Sequence, residues 1–202
     1  MMEINADGLL SIRISNEPWC DAPVDRSVYH SPKEERRVLN RILTAVGFTA
    51  AALWLGAACY FTLFAASELF SALPVDTAGQ AVGALFPTFF SLCTILSLVA
   101  VLAFYALLRR MRRVTRTYRG FLWVGLLGMV LNAVNQFYML PNVQRLEAKM
   151  GSISKATPAL AHQFYTWHGI SMGLELLAVL AAAALFVSMA ALVRWPFDDA
   201  TR

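Results

Sequence analysis

Three stretches of this chain carry no Lys, Arg, Asp or Glu: Ile42 to Ser67, Thr77 to Leu108 and Gly120 to Gln144. A fourth, Gly169 to Val193, is interrupted by one such side chain, Glu175. Each is longer than the ~20 residues that cross a hydrocarbon core at ~1.5 Å per residue. The pattern predicts an all-α integral membrane protein, with one membrane domain over residues 42–197 and spans near 42–67, 81–108, 120–141 and 168–193. Short connections between successive spans give an antiparallel four-transmembrane-helix bundle.

Local signals place the helix ends. Ser31-Pro32-Lys33-Glu34 reads as a capping box with proline at the first helical position, so a helix starts near residue 31 and runs into the first span. After Pro141 the helical pattern continues to Gly151, which predicts a helix carried through a proline kink to a glycine cap. Thr157-Pro158 then opens the last helix. Residues 1–41 set seven acids against six Lys or Arg and have no apolar segment or small-residue cleavage site. They read as a polar cytoplasmic tail, loose and solvated, rather than a secretory signal.

Charge orients the bundle. Arg109, Arg110, Arg112, Arg113, Arg116 and Arg119 crowd the connection between spans two and three, whereas the connection before it has Glu68 and Asp76 and no base. The positive-inside rule makes the arginine turn cytoplasmic and both termini with it, an N-in/C-in topology. Beside two spans, this turn is read as contacting anionic lipid headgroups, not nucleic acid. Phe164, Tyr165 and Trp167 fit an outer aromatic belt, and Trp195 and Phe197 an inner one. The composition agrees: 58% of the 202 residues are hydrophobic and 15% charged, against ~25% charged in soluble domains. The expected location is a cell membrane, spanned several times, and the cytoplasmic membrane in a bacterial cell. Gly169-x-x-x-Gly173, Gly79-x-x-x-Gly83 and Ala52-x-x-x-Gly56 fit the small-residue spacing of close helix packing and would suit a homodimer. Cys20, Cys59 and Cys93 form no CxxC pair, and the two inside spans read as packing residues.

Glu175 is the residue that composition does not explain. A carboxylate at a helix centre costs a few kcal/mol and is by default a functional-site candidate. Span three offers Asn132, Asn135, Gln136 and Met139 on one face; span four offers Tyr165, His168, Met172 and Glu175, with Ser171 close to that face. Counted inward from Pro141 and His168, Asn135 and Glu175 lie ~9 and ~10 Å deep. They are expected to meet in the outer half of the bundle, where a protonated Glu175 could donate to the carbonyl oxygen of Asn135 or Gln136. The ligand-binding candidates are therefore Asn135, Gln136, His168, Ser171 and Glu175. His168, Glu175, Met139 and Met172 would together supply imidazole, carboxylate and thioether ligands, a set compatible with copper or another transition metal. His168 with Met139 or Met172 could instead be axial ligands to haem. The sequence requires neither cofactor: it has no HExxH, CxxC, P-loop or dinucleotide fingerprint and no hydrolytic triad.

Taken in order, Trp54-Leu-Gly56, Tyr60-Phe61, Gly79-Gln80, Leu85-Phe86-Pro87-x-x-Phe90, Asn135-x-x-x-x-x-Pro141 and Phe164-x-x-x-His168-Gly169-x-Ser171 resemble the transmembrane-protein-205-like family, the domain of unknown function numbered 4149. The resemblance runs from about residue 45 to 195. It implies a four-helix integral membrane protein of unresolved biochemical activity. Eukaryotic relatives are associated with resistance to platinum drugs, which suggests handling of a metal-like compound. Gln80, Pro87, Asn135, Pro141, His168 and Ser171 are the positions that match. The family pattern resembles His-Gly-x-Ser-x-x-x-Asn, so Glu175 stands where an Asn is expected, a change that would suit a cation or proton better than a neutral ligand. The expected function is non-enzymatic handling of a small solute or metal ion. The alternatives are a structural or assembly subunit whose polar groups set helix register, and a membrane haem or redox protein.

Overall fold

The computed structural model describes residues 2–4, 10–12, 32–111 and 114–192. The chain divides into two compact units, Met1–Arg37 and Val38–Arg202. In the first, strands β1 (Met2–Ile4) and β2 (Leu10–Ile12) pair antiparallel, with Met2 opposite Ile12 and Ile4 opposite Leu10. Composition alone predicts no such ladder in a polar tail.

The second unit is helical. Helix α1 (Pro32–Tyr60) passes through a π-helical turn (Phe61–Ala65) into α2 (Ala66–Ala72). Pro74 ends that rod and starts α3 (Val75–Arg110). Helix α4 (Arg116–Val134) continues through a second π turn (Asn135–Met139) into α5 (Leu140–Met150), and α6 (Pro158–Leu192) returns. Among the described residues four helical rods are long and apolar enough to cross a membrane: 34–72, 75–110, 116–150 and 158–192. At ~1.5 Å per residue each spans over 50 Å, so every rod outruns the ~30 Å hydrocarbon thickness.

The predicted ends hold at several points. Helix α1 begins at Pro32; the capping contact expected of Ser31 lies outside the described residues, as do Arg112, Arg113, Trp195 and Phe197. Thr115 caps α4, its hydroxyl accepting from the Tyr118 N–H at 3.5 Å. Gly151 closes α5 at φ 66°, a backbone region glycine enters without a Cβ penalty, and its N–H donates to the Glu147 carbonyl. Pro141 does not break the rod. It has no N–H to give the Phe137 carbonyl, and the π turn immediately before it absorbs the lost ladder bond. Asn142 Nδ2 donates to the neighbouring Tyr138 carbonyl at 2.6 Å, so a side chain caps the loosened backbone.

Trp54, Phe104, Leu185 and Met189 are fully buried at the centre, among Ala51, Ala100 and Ala182. One close crossing depends on Gly128: a Cβ there would lie 2.6 Å from the Ala181 Cβ and 2.9 Å from the Trp54 ring. This is not one of the spacings singled out above. Gly56, Gly169 and Gly173 have open space around them, while Gly79 and Gly83 face Ile153 and Glu147 of the same chain. Apolar contact is nearly free in lipid, so close approach is set by whichever small residue lies on the crossing line.

Candidate functional site

The Asn135 and Glu175 side chains meet. Asn135 Nδ2 donates to Glu175 Oε2 at 3.4 Å and to the Ser171 carbonyl at 3.3 Å, and the Ser171 hydroxyl donates to Asn135 Oδ1 at 3.0 Å. The depth match was therefore readable from the helix ends, but the direction of the bond was not. Ser171 takes the amide oxygen, so the amide nitrogen faces the carboxylate and Asn135 is the donor.

Gln136 is not a partner of Glu175. It is half-buried and turns to α3, where its Nε2 donates to Ser91 Oγ at 3.1 Å. The inward face of α6 also differs from the expected one. Phe164, Ser171, Glu175, Ala178 and Leu185 are buried, whereas Tyr165 and Met172 are 59% and 55% exposed. Met172 thus points away from Glu175, while Met139 is buried on the inner face of its π turn. His168 lies two turns, ~10 Å, along the helix from Glu175. Its ring stacks on Phe164 at 5.5 Å and meets the edge of Phe86 at 6.4 Å. Phe86 and Phe89 pack in turn on Phe61, which opens the first π turn. The proposed metal set of His168, Glu175, Met139 and Met172 is thus corrected: the residues face different surroundings, and His168 and Met172 do not converge as two axial ligands would. Among the described residues no three His, Cys, Asp or Glu gather where they could hold a metal ion.

A second polar level was missed. Buried atoms without a partner include Glu175 Oε1, Gln136 Oε1, both side-chain atoms of Asn132, Thr94 Oγ1 and Trp54 Nε1. Helix register brings several of these to one depth. Gly125 packs on Leu185 of α6 and Val101 of α3, and Gly128 on Ala181 and Trp54. Counting one turn along antiparallel helices from those contacts sets Asn132 within a turn of both Glu175 and Thr94. The signal available in sequence was Ser91-x-x-Thr94-x-x-Ser97, a polar stripe on one face of span two. Such hydroxyls are usually satisfied by a carbonyl of the preceding turn. Ser97 is, at 2.9 Å to the Thr94 carbonyl; Thr94 is not.

At the bundle end that carries the α5–α6 connection, Asp76 holds the loop between those helices. Its carboxylate accepts from Ser154 N at 3.1 Å, Ser154 Oγ at 2.6 Å and Ser152 Oγ at 3.0 Å. Asp76 also sits in the first turn of α3, where the helix dipole favours an anion. A shallow cleft beside it is lined by Gln80 and Glu147.

Four rods long and apolar enough to cross a membrane, with a buried carboxylate between them, define an all-α unit of the polytopic helical type. The chain belongs to the family of the domain of unknown function DUF4149, whose profile matches residues 49–152. That match is shorter than the resemblance and ends before α6, so it includes Asn132, Asn135 and Gln136 but not Ser171 or Glu175. The chain is also similar to an uncharacterized protein of Aquifex aeolicus (strain VF5), 29% identical over 127 residues, which are 63% of this chain and 81% of the relative. No solved structure matches.

Proposed function

We propose that this protein handles a small polar solute or cation at the Glu175–Asn135–Ser171 cluster, without enzymatic chemistry. The observation that carries the reading is the unbalanced carboxylate. Glu175 is 6% exposed, its Oε2 receives one long bond from Asn135, and its Oε1 receives none. A buried acceptor left without a partner costs about 1–3 kcal/mol, more if charged, and such groups in native proteins call for a role. A purely structural role has support from the reciprocal Asn135–Ser171 pair, which already ties α4 to α6 without Glu175.

In this reading the termini and the arginine turn are cytoplasmic, the cluster lies in the outer half of the bundle, and the arginines at 109–119 contact anionic headgroups of the cell membrane. Arg109 already lies 5.9 Å over the Tyr105 ring, an arrangement suited to a membrane interface. The open stripe at Gly169 and Gly173 leaves room for a second copy as partner.

The test is a melting experiment on detergent-purified wild type and Glu175→Gln across a panel of inorganic cations and small polar solutes. Replacing an under-paired buried charge by its neutral isostere keeps or raises the unliganded melting temperature, while ligand-dependent stabilisation is lost. If Glu175→Gln melts lower with no ligand and every solute acts equally on both proteins, the structural role is the correct one.

A further inference from the structure

We propose that the ligand of this cluster is a hard monovalent cation, an alkali ion such as sodium or potassium, held between α3, α4 and α6. The inference rests on the site reading above and names its occupant.

The cluster holds more acceptors than donors. Among the described residues, four of the five buried side-chain oxygens without a partner come from these helices: Glu175 Oε1, Asn132 Oδ1, Gln136 Oε1 and Thr94 Oγ1, the fifth being Asn40 Oδ1 in α1. The four come from three helices, and the packing of Gly125 and Gly128 brings Asn132, Thr94 and Glu175 to one level. Asn132 is fully buried and has no partner at either side-chain atom. Burying so many acceptors without a protein donor is unfavourable, and a cation satisfies several of them at once.

The chemistry of the donors selects the kind of cation. Carboxylate, amide and hydroxyl oxygens are hard ligands, which suit alkali and alkaline-earth ions over soft metals. Cys93 and Met139 are also buried near this level, but a thiol or thioether packs in an apolar core without needing a partner. The oxygens, not the sulfurs, are the atoms left in deficit. Charge then separates monovalent from divalent. Glu175 is the one acid at this level and has no ion-pair partner among the described residues, so one positive charge neutralises the site. A divalent ion would leave an uncompensated charge between apolar helices, which is costly to bury. Two buried donors remain, Asn132 Nδ2 and Trp54 Nε1. A water completing the ion's coordination shell would accept from them.

The test measures the melting temperature of purified full-length protein in sodium or potassium chloride against choline chloride at equal ionic strength. Magnesium, silver(I) and pH are run as parallel arms, with direct binding of radioactive sodium alongside. A saturable rise in melting temperature with sodium or potassium is expected for wild type and none for Glu175→Gln. Thr94→Val, a near-isosteric change that keeps the fold, is expected to shift half-saturation upward by about tenfold, the factor that corresponds to one lost ligand of ~1.4 kcal/mol. Equal melting of wild type in alkali and choline salts, with no sodium bound, overturns the inference. If magnesium, silver or protons then act in a Glu175-dependent way, the site reading stands and only the choice of ion falls. An undiminished sodium response in Glu175→Gln also overturns it, because the ion would then sit elsewhere.

Discussion

Asn135 is the residue on which the cluster turns, because among the described residues it is the sole donor to Glu175 and it accepts from Ser171. Asn135→Ala therefore removes more than Ser171→Ala. Ser171→Ala deletes one interhelical bond, which in membrane proteins averages about 0.6 kcal/mol, whereas Asn135→Ala also strips the carboxylate of its partner. A double-mutant cycle between Asn135→Ala and Glu175→Gln, read from unfolding in detergent, should give a coupling of about 0.6–1.7 kcal/mol. A coupling indistinguishable from zero would mean that the 3.4 Å contact carries no energy. Counting turns from Pro141 and His168 was enough to pair these two residues, since rise per residue is the same in every helix. Counting could not decide which amide atom faces the acid, because that depends on the hydroxyl of Ser171.

At the scale of elements, the faces of α6 show where periodicity fails. Tyr165, His168, Met172 and Glu175 share a stripe in projection, yet the buried stripe is Phe164, Ser171, Glu175 and Ala178. The helix is apolar on all sides, so no contrast of polarity marks the inward face when the other solvent is lipid. The π turns are likewise hidden from a fixed 3.6-residue count. Pro141→Ala restores a main-chain donor to the Phe137 carbonyl and should favour regular α-helix across Asn135–Met139. It is expected to weaken ligand-dependent stabilisation in the melting assay more than it alters the unliganded melting temperature. The loop after α5 gives a cleaner structural check. Asp76→Ala removes three hydrogen bonds from Ser152 and Ser154, so hydrogen exchange should accelerate at Ser154 and the adjoining loop while the amides of α3 beyond its first turns keep their protection. Unchanged exchange at Ser154 would show that the loop is held by something else.

For the whole molecule, one tight constraint is the crossing at Gly128, where Ala181 and Trp54 leave no room for a larger side chain. Gly128→Val should lower stability by about 1–3 kcal/mol through overpacking, whereas Gly173→Val, in open space, should be tolerated in the isolated monomer. A loss at Gly173→Val that appears only in a cross-linked or concentrated sample would place a second copy on that stripe. Reporter fusions at the C-terminus and at the α5–α6 loop test orientation, with cytoplasmic signal expected from the first alone; the reverse result overturns the proposed topology. Length and apolarity of the four stretches dictated four helical rods long enough to cross a membrane, since only a rod that satisfies its own backbone bonds can cross a hydrocarbon layer. The same residues dictated the presence and depth of an unusual carboxylate. Tertiary structure alone decided which glycine lets the helices touch, which side of α6 is inside, and that Thr94, Asn132 and Gln136 leave oxygens without donors near Glu175. Those outcomes depend on rotation and approach between helices. In a chain bathed on every side by apolar surroundings, hydropathy does not record either one.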